Sequence, residues 1–476
     1  MALRIATDFE LTTLKITVRP RDTGMAAWVE LVTYDGGSST TRGDWWLSST
    51  ELALPSRLTP QWHPTGELPP VFVESLCHAV DALSLPPGLP LWLHLVKPYG
   101  YLGAVDWEGA LVGPLSRPLL RLPDFLESPR ECRTVLDVAL CCSEPVSEPR
   151  LDPPALLYDI AQAILAGSKR DHTSIHVFAD QMYYDRLRSR FSNDPRVSVH
   201  DPETARRHGV LARGGNLKAE PQGLRNPWLL WMRDSMRGRS LDAVHFVAHG
   251  FLADERAAMA LAESPLSNRD RADARYVGVA ELTTFLTHAG AWSAVFSSPP
   301  ANYSEAGLRL LADTLAQARP GPVLYCPIQQ GFDPKLQALY GFLYAPEATP
   351  VPEPGGWFAY CQPAIVQGHA PAWRSRKASA AVDANAGLFA PPLPRGTRSR
   401  GPAQAPSTPD IPSWVSAAQR YVEQAAQDLQ RRVDGSSVNP SAAASAAAAE
   451  AERTLQKLQA IVASVAQRTS GGRGQP

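Results

Sequence analysis

Apolar and polar positions alternate through the first sixty residues. Leu14, Ile16 and Val18 interleave with Lys15, Thr17 and Arg19, and Ala27 to Tyr34 forms a second run closed by Asp35-Gly36-Gly37. A period of two predicts β-strands and the paired glycines a turn, so this stretch reads as antiparallel β. Pro69 to Ser84 changes to helical spacing, with Val71, Leu76, Val80 and Leu83 on one side. Leu91 to Val96 is a further strand. From Arg133 the pattern becomes strand, helix, strand. Thr134 to Cys142 is a nearly continuous apolar run, as in a sheet covered on both faces, and Ala155 to Ala166 is an amphipathic helix introduced by Asp152-Pro153-Pro154. Strands are predicted at 174–179, 197–200, 241–249, 292–297 and 322–328, with helices at 183–191, 227–236, 279–288, 305–317 and 334–343. Such alternation implies βαβ units around a mostly parallel sheet, an α/β fold.

The pattern changes again near Pro346. Residues 346–412 are rich in Pro, Ala, Gly and Arg and read as a mainly unstructured linker. Ser413 to Val433 is helical, with Trp414, Val415, Ala418, Tyr421, Val422, Ala425 and Leu429 on one stripe. Asp434-Gly435-Ser436-Ser437 breaks it, and the Ala-rich run 442–467 follows with Leu455, Leu458, Ile461, Val462 and Val465 on one face. Residues 413–469 therefore read as a helical hairpin or a two-helix surface for a partner, and 470–476 as a frayed tail. The α/β module is bounded at 85–345. The β-rich region 1–84 is either a separate domain or extra strands on the main sheet.

Composition narrows the partners. The chain has 476 residues, 44% hydrophobic and 20% charged, with a formal net charge of -1. Nucleic-acid-binding domains are usually strongly basic, so none is expected as a partner. No run reaches the roughly 18 apolar residues of a membrane span, and the N-terminus has no signal-type apolar segment; a cytoplasmic protein without membrane contact is expected. The six cysteines form no CxxC pair, which predicts buried free thiols. His172 and His176 are spaced i, i+4, as are His245 and His249, but on strands that spacing holds no zinc. No metal and no cofactor is expected.

The strongest chemical signal is Leu241-Asp242-Ala243-Val244-His245-Phe246-Val247-Ala248-His249-Gly250. An apolar strand ends in a His-Gly pair, which can present an imidazole from a tight turn at a sheet edge. His249 is accordingly either a base or a polar cap. His245, four residues earlier and on the same face if the strand is continuous, is either a satisfied core histidine or a group supporting the site. His208-Gly209 follows Arg206-Arg207 rather than a strand and reads as loop.

With these residues in view, the chain resembles the CHAT domain, a caspase-like peptidase module of bacteria. Asp106-Trp107-Glu108 is similar to the Trp-Glu element before that family's core, 245–250 to its histidine strand, Val279 to Ser297 to the helix and strand leading to its cysteine, and Pro322 to Tyr344 to its closing strand and helix. The resemblance covers roughly residues 85–345 and implies a caspase-like layered sheet with helices on both faces. Caspase-type enzymes carry the nucleophile roughly 50 residues after the histidine. Here that position falls on Phe296-Ser297-Ser298-Pro299-Pro300, with no cysteine.

A thiol suits such a dyad because an adjacent imidazolium lowers its pKa into the working range. A serine hydroxyl is a weaker nucleophile and needs an oriented histidine and an oxyanion hole. Proline at 299 and 300 withholds backbone N–H donors from that hole. Ser297 and Ser298 are therefore either nucleophiles paired with His249 or a strand-end loop. Cys326, inside an apolar strand, is either a relocated nucleophile or a buried thiol. The resemblance implies a bacterial conflict or cell-death component. The missing cysteine favours a pseudopeptidase that regulates or scaffolds a protein partner through the C-terminal helices. The alternatives are a peptidase using His249 with Ser298, and a module that binds a peptide without cutting it.

Overall fold

The computed structural model describes residues 11–366, except 22–23, 36–37, 55–66, 87, 98, 125–134, 146–150, 209–222, 254–255, 268–272, 299–301, 329–333, 346–348 and 354. The helical hairpin expected over 413–469, the tail, and the linker beyond 366 lie outside these residues.

The alternating start of the chain folds as expected. β1 (Leu11–Arg21), β2 (Gly24–Asp35) and β3 (Ser38–Ser48) pair antiparallel in chain order. Their inner face, from Leu14, Ile16, Val29, Leu31 and Leu47, is covered by α1 (Pro70–Asp81). The helix buries Phe72, Leu76 and Val80, an i, i+4, i+8 stripe, and turns Val71 to solvent. The inward stripe thus begins at Phe72, whose ring meets Trp45 edge-on at 5.6 Å. β4 (Leu91–Val96) then joins β1 in parallel. The adjacent α2 (Trp107–Leu115) is capped by the Asp106 carboxylate, which accepts the Gly109 N–H at 3.3 Å. β5 (Leu119–Arg121) lies parallel to β4. β1, β2 and β3 therefore belong to the main sheet.

The βαβ half follows: β6 (Val135–Cys142), α3 (Pro153–Ser168), β7 (His172–Ala179), α4 (Tyr184–Arg190), β8 (Val197–Val199), α5 (Pro227–Ser235) and β9 (Ala243–Val247). A small antiparallel sheet of β10 (His249–Ala253), β11 (Arg256–Ala262) and β12 (Ala274–Gly278) leads into α6 (Val279–His288). β13 (Ser293–Ser297), α7 (Asn302–Ala318), β14 (Val323–Tyr325), α8 (Pro334–Tyr344) and β15 (Phe358–Tyr360) complete the fold. The large sheet has twelve strands in the order β3-β2-β1-β4-β5-β15-β14-β13-β9-β6-β7-β8. All neighbours are parallel except β1–β2, β2–β3 and β14–β15. It is a layered α/β fold with a mostly parallel sheet, as the strand–helix alternation predicts. Val244, Phe246, Ala294 and Phe296 face one core with α5, α6 and α7. The alternate positions of β9 and β13 face α8, which packs on α3 where a Cβ at Gly167 would overlap the Gln337 carbonyl.

β15 corrects the linker reading of 346–412. Its Tyr360 pairs with Arg121 of β5, and its other edge runs antiparallel to β14. Three residues thus join the N-terminal strands to the βαβ strands. Trp357-Phe358-Ala359-Tyr360-Cys361 is an apolar run, but it is short and lies among Pro and Gly, so the composition of the window hides it.

A buried ionic cluster sits at this joint. Arg121, fully buried, donates to both carboxylate oxygens of Glu108 (2.7 and 2.8 Å) and to the carbonyls of Gly103 (2.6 Å) and Val105 (3.1 Å). Burial pushes a guanidinium toward neutrality, but Glu108, with Tyr360 and Asp313 adding to it, more than offsets this, so the pKa of Arg121 is raised and its charge is kept. Arg309 of α7 bonds Asp106 at 2.7 Å and lies 3.6 Å from Glu108. The Phe358 ring has Arg121 at 4.0 Å and Arg309 at 5.0 Å from its centroid. Asp313, also on α7, accepts from Tyr99 (3.1 Å), Tyr360 and Gln317 (2.9 Å). The Asp-Trp-Glu element is thus an ionic anchor: Asp106 and Glu108 hold two arginines, and Trp107 donates to the Leu102 carbonyl at 2.8 Å. Replacing Glu108 with Ala leaves the Arg121 charge buried without its counter-ion. Urea denaturation is expected to show a loss of about 3–5 kcal/mol; a loss under about 1 kcal/mol would contradict the role assigned to this pair.

Candidate functional site

In open α/β sheets, ligand and reaction sites form beyond the carboxyl ends of the strands. Here β6, β7, β9, β13 and β14 bring Cys142, Asp180, His249, Ser297–Ser298 and Cys326 to that edge. The expected continuous strand 241–249 is broken. β9 ends at Val247, Ala248 crosses over, and His249 opens β10, where it pairs with Ala260 and is buried. Gly250 is a strand residue opposite Met259 rather than a turn. His245 and His249 therefore lie in different sheets and do not share a face. The segment carrying His249 still runs beside the end of β13, since the Ala248 N–H donates to the Ser297 carbonyl at 3.1 Å.

The serines find other partners. Register places His245 opposite Val295 and Val247 opposite Ser297, so His245 and Ser297 are diagonal neighbours on the α8 face. Ser297 Oγ lies 2.9 Å from His245 Nε2, and His245 Nδ1 lies 2.7 Å from the Tyr340 hydroxyl. Ser293 Oγ lies 2.5 Å from the Tyr344 hydroxyl, one helical turn further along α8. Tyrosines at i and i+4 thus dock α8 onto two polar positions of the sheet, His245 and Ser293. His245 is 0% and Ser297 2% exposed. Burial drops the imidazole pKa to about 3, so the ring is neutral and donates through one nitrogen while accepting through the other.

This row has the order of a nucleophile, base and orienting group, but not their chemistry. A base with a pKa near 3 is poorly matched to proton abstraction at neutral pH. A buried tyrosine, whose own pKa is raised well above its usual value by burial, supplies no negative charge to stabilise an imidazolium. Ser298 is fully buried as well, its hydroxyl 2.8 Å from that of Tyr325, and its carbonyl accepts the Ile328 N–H at 2.9 Å. Neither serine hydroxyl is paired with His249. Pro299 and Pro300 lie outside the described residues.

Four of the five described cysteines are buried free thiols as expected, while Cys77 is half-buried and Cys132 lies outside the described residues. Cys141, Cys142 and Cys361 are buried, and burial raises each pKa. A reactive thiolate needs the opposite surroundings. Cys326 is 3% exposed, with Sγ 3.7 Å from the Pro327 carbonyl oxygen. His172 is exposed and His176 buried, its Nδ1 3.1 Å from His200 Nε2, so the two do not converge on one point.

A second cluster at the same edge escaped the sequence reading. Asp180, just past β7, accepts the Glu144 N–H at 3.1 Å. Glu144 accepts from the Leu151 N–H at 3.1 Å and from the Tyr183 hydroxyl. Ser143 Oγ accepts the Ala262 N–H at 2.7 Å, tying β6 to β11. Burial, with the Glu144 charge adding to it, pushes Asp180 up to about 8. Nothing in the local pattern marks Asp180 or Glu144 as inward-facing, because their burial comes from segments distant in sequence.

No protein-family model matches the chain, and no curated protein matches it in sequence.

Two outcomes follow from this geometry. Ser297→Ala leaves a His245 nitrogen buried without its partner, so denaturant unfolding is expected to show a loss of about 1–3 kcal/mol; an unchanged midpoint would contradict a structural role for the Ser297–His245 bond. Asp180 binds its proton more tightly folded than unfolded. Its contribution to stability is complete below about pH 4 and is lost progressively as pH rises, until the folded carboxyl ionises near pH 8. Thermal melts from pH 5 to 9 should show a shallower alkaline decline in Asp180→Asn than in the wild type; parallel curves would refute this.

Proposed function

We propose that this chain is a caspase-like module of the CHAT type that binds where its relatives in fold would cut. It is a pseudopeptidase serving as regulator or scaffold of a protein partner in a bacterial defence or cell-death system. The strand order β7-β6-β9-β13-β14-β15, with only the last antiparallel, supports the resemblance. So does the placement of His249 beside the end of β13. The observation that carries the loss of hydrolysis is the engagement of both serine hydroxyls. Ser297 and Ser298 are 2% and 0% exposed and are bonded to His245 and Tyr325, so attack by either needs a buried hydrogen bond broken and the core opened. The chain then enters Pro299-Pro300, which donates no backbone N–H to an oxyanion. The amphipathic stripes of 413–469 are the docking element this reading assigns, on their sequence pattern alone.

The test is chemical labelling of the full-length chain. A fluorophosphonate probe for activated serines and an iodoacetamide probe for reactive thiols are each followed by peptide mapping. Modification of none of Ser297, Ser298, Cys141, Cys142 or Cys326 in the native protein is expected. Labelling of any of them that disappears in His249→Ala would establish a working nucleophile and overturn the pseudopeptidase reading.

A further inference from the structure

The outward face of β1–β3 carries a row of cations and indoles that the site above does not use. Register aligns three cross-strand rows on it: Lys15–Glu30–Asp44, Thr17–Trp28–Trp46 and Arg19–Ala26–Ser48, with Arg21 opposite Gly24. Trp28 and Trp46 stack with centroids 6.1 Å apart and planes 23° apart. The Arg19 guanidinium carbon lies 3.4 Å from the Trp28 ring centroid, and that of Arg21 lies 4.8 Å from the Trp46 centroid. Arg21 must cross one intervening strand, roughly 10 Å of sheet, and the small residues Gly24 and Ala26 leave the path open. Both arginines are exposed and both indoles half-buried.

The acids on this side are already engaged. Glu30 pairs with Lys15 at 2.9 Å, Asp44 accepts the Trp28 indole N–H at 3.3 Å, and Glu51, within electrostatic reach of Arg21, accepts the Ser48 N–H and hydroxyl at 2.7 Å. Among the described residues neither Arg19 nor Arg21 forms an ion pair. Each is thus an exposed cation lying against an indole.

We propose that the outer face of β1–β3 is a binding site for single-stranded nucleic acid, with Arg19, Arg21, Trp28 and Trp46 as its contacts. A guanidinium lying on an indole is a flat, cationic surface. A base stacks on that surface and a phosphate takes its N–H edge, the pairing of stacking platform and positive charge that recognises single strands without reading their sequence. An acidic peptide would use the charge but gives the stacked rings nothing to do. A duplex keeps its base faces inside its own stack. The overall charge of -1 does not decide this, because the field at the site is set by the charges within a Debye length rather than by the whole chain.

Fluorescence anisotropy of the full-length chain with labelled oligodeoxythymidine and oligouridine of about 12 nucleotides, within the footprint of known single-strand sites, tests it at low salt. Binding is expected that weakens as salt rises. Arg19→Glu with Arg21→Glu is expected to weaken it ~10-fold or more, and Trp46→Ala about 10-fold. Arg19→Lys with Arg21→Lys keeps the charge but loses the planar stack, and an intermediate loss is expected. If circular dichroism shows the charge reversal to be unfolded, the lysine variant decides. Absence of binding, binding indifferent to both arginine variants, or displacement by polyglutamate as effective as by unlabelled oligonucleotide would overturn the proposal.

Discussion

A fully buried guanidinium holds the halves of this molecule in one sheet. Arg121 ends β5, and Tyr360 of β15 pairs with it across the seam. Placing a full positive charge at the centre of a protein is costly unless every part of it is answered. Here the Glu108 carboxylate takes two of its donors and two carbonyls take two more, with the Phe358 ring on one face. These partners come from the segment before α2, from α2 itself and from β15, so the charge is satisfied only when all three are in place. Arg309 and Asp313 extend the demand to α7. Loosening any one of these elements exposes the others to the cost of an unpaired buried charge, which makes the joint cooperative.

At the sheet edge beyond that joint, a row with the order of a catalytic triad is architecture. A serine, a histidine and a tyrosine lie in hydrogen-bonded sequence, yet burial holds the imidazole neutral far below the range where it would take a proton. The same hydroxyls seat α8 on the sheet, with Tyr340 and Tyr344 one turn apart meeting His245 and Ser293. Polar contacts of this kind give a helix one angular setting where apolar packing alone would tolerate several. After β13 the chain reads Ser298-Pro299-Pro300, with no thiol, and the polar row serves packing.

Much of the fold was legible before any coordinates. Val279–His288 has the predicted bounds, and β4 matches residue for residue, because both elements are long enough to show their period and are bounded by turn residues. β5 and β15, three residues each, carry too few positions to show a period of two. β10–β12 were missed because Gly250 suggested a turn where tertiary pairing with β11 imposes a strand. At the site, His249, Ser297 and Ser298 were named from the chain, and all three do lie at the carboxyl edge. The pairing was misassigned: His245, read as a core residue or a supporting group, is the partner of Ser297.

The sequence alone determined most of the succession of strands and helices, the alternation of apolar and polar positions in the first strand, and the want of a thiol directly after β13. These properties are local, and periodicity and residue identity carry them. Only the tertiary structure decided which histidine meets which serine, that a Pro- and Gly-rich stretch supplies the strand closing the sheet, and that Asp106 and Glu108 are ionic anchors. Each depends on residues from some 13 to more than 200 positions apart meeting in a water-free interior. There the cost of an unanswered polar group fixes partners that no window of sequence contains.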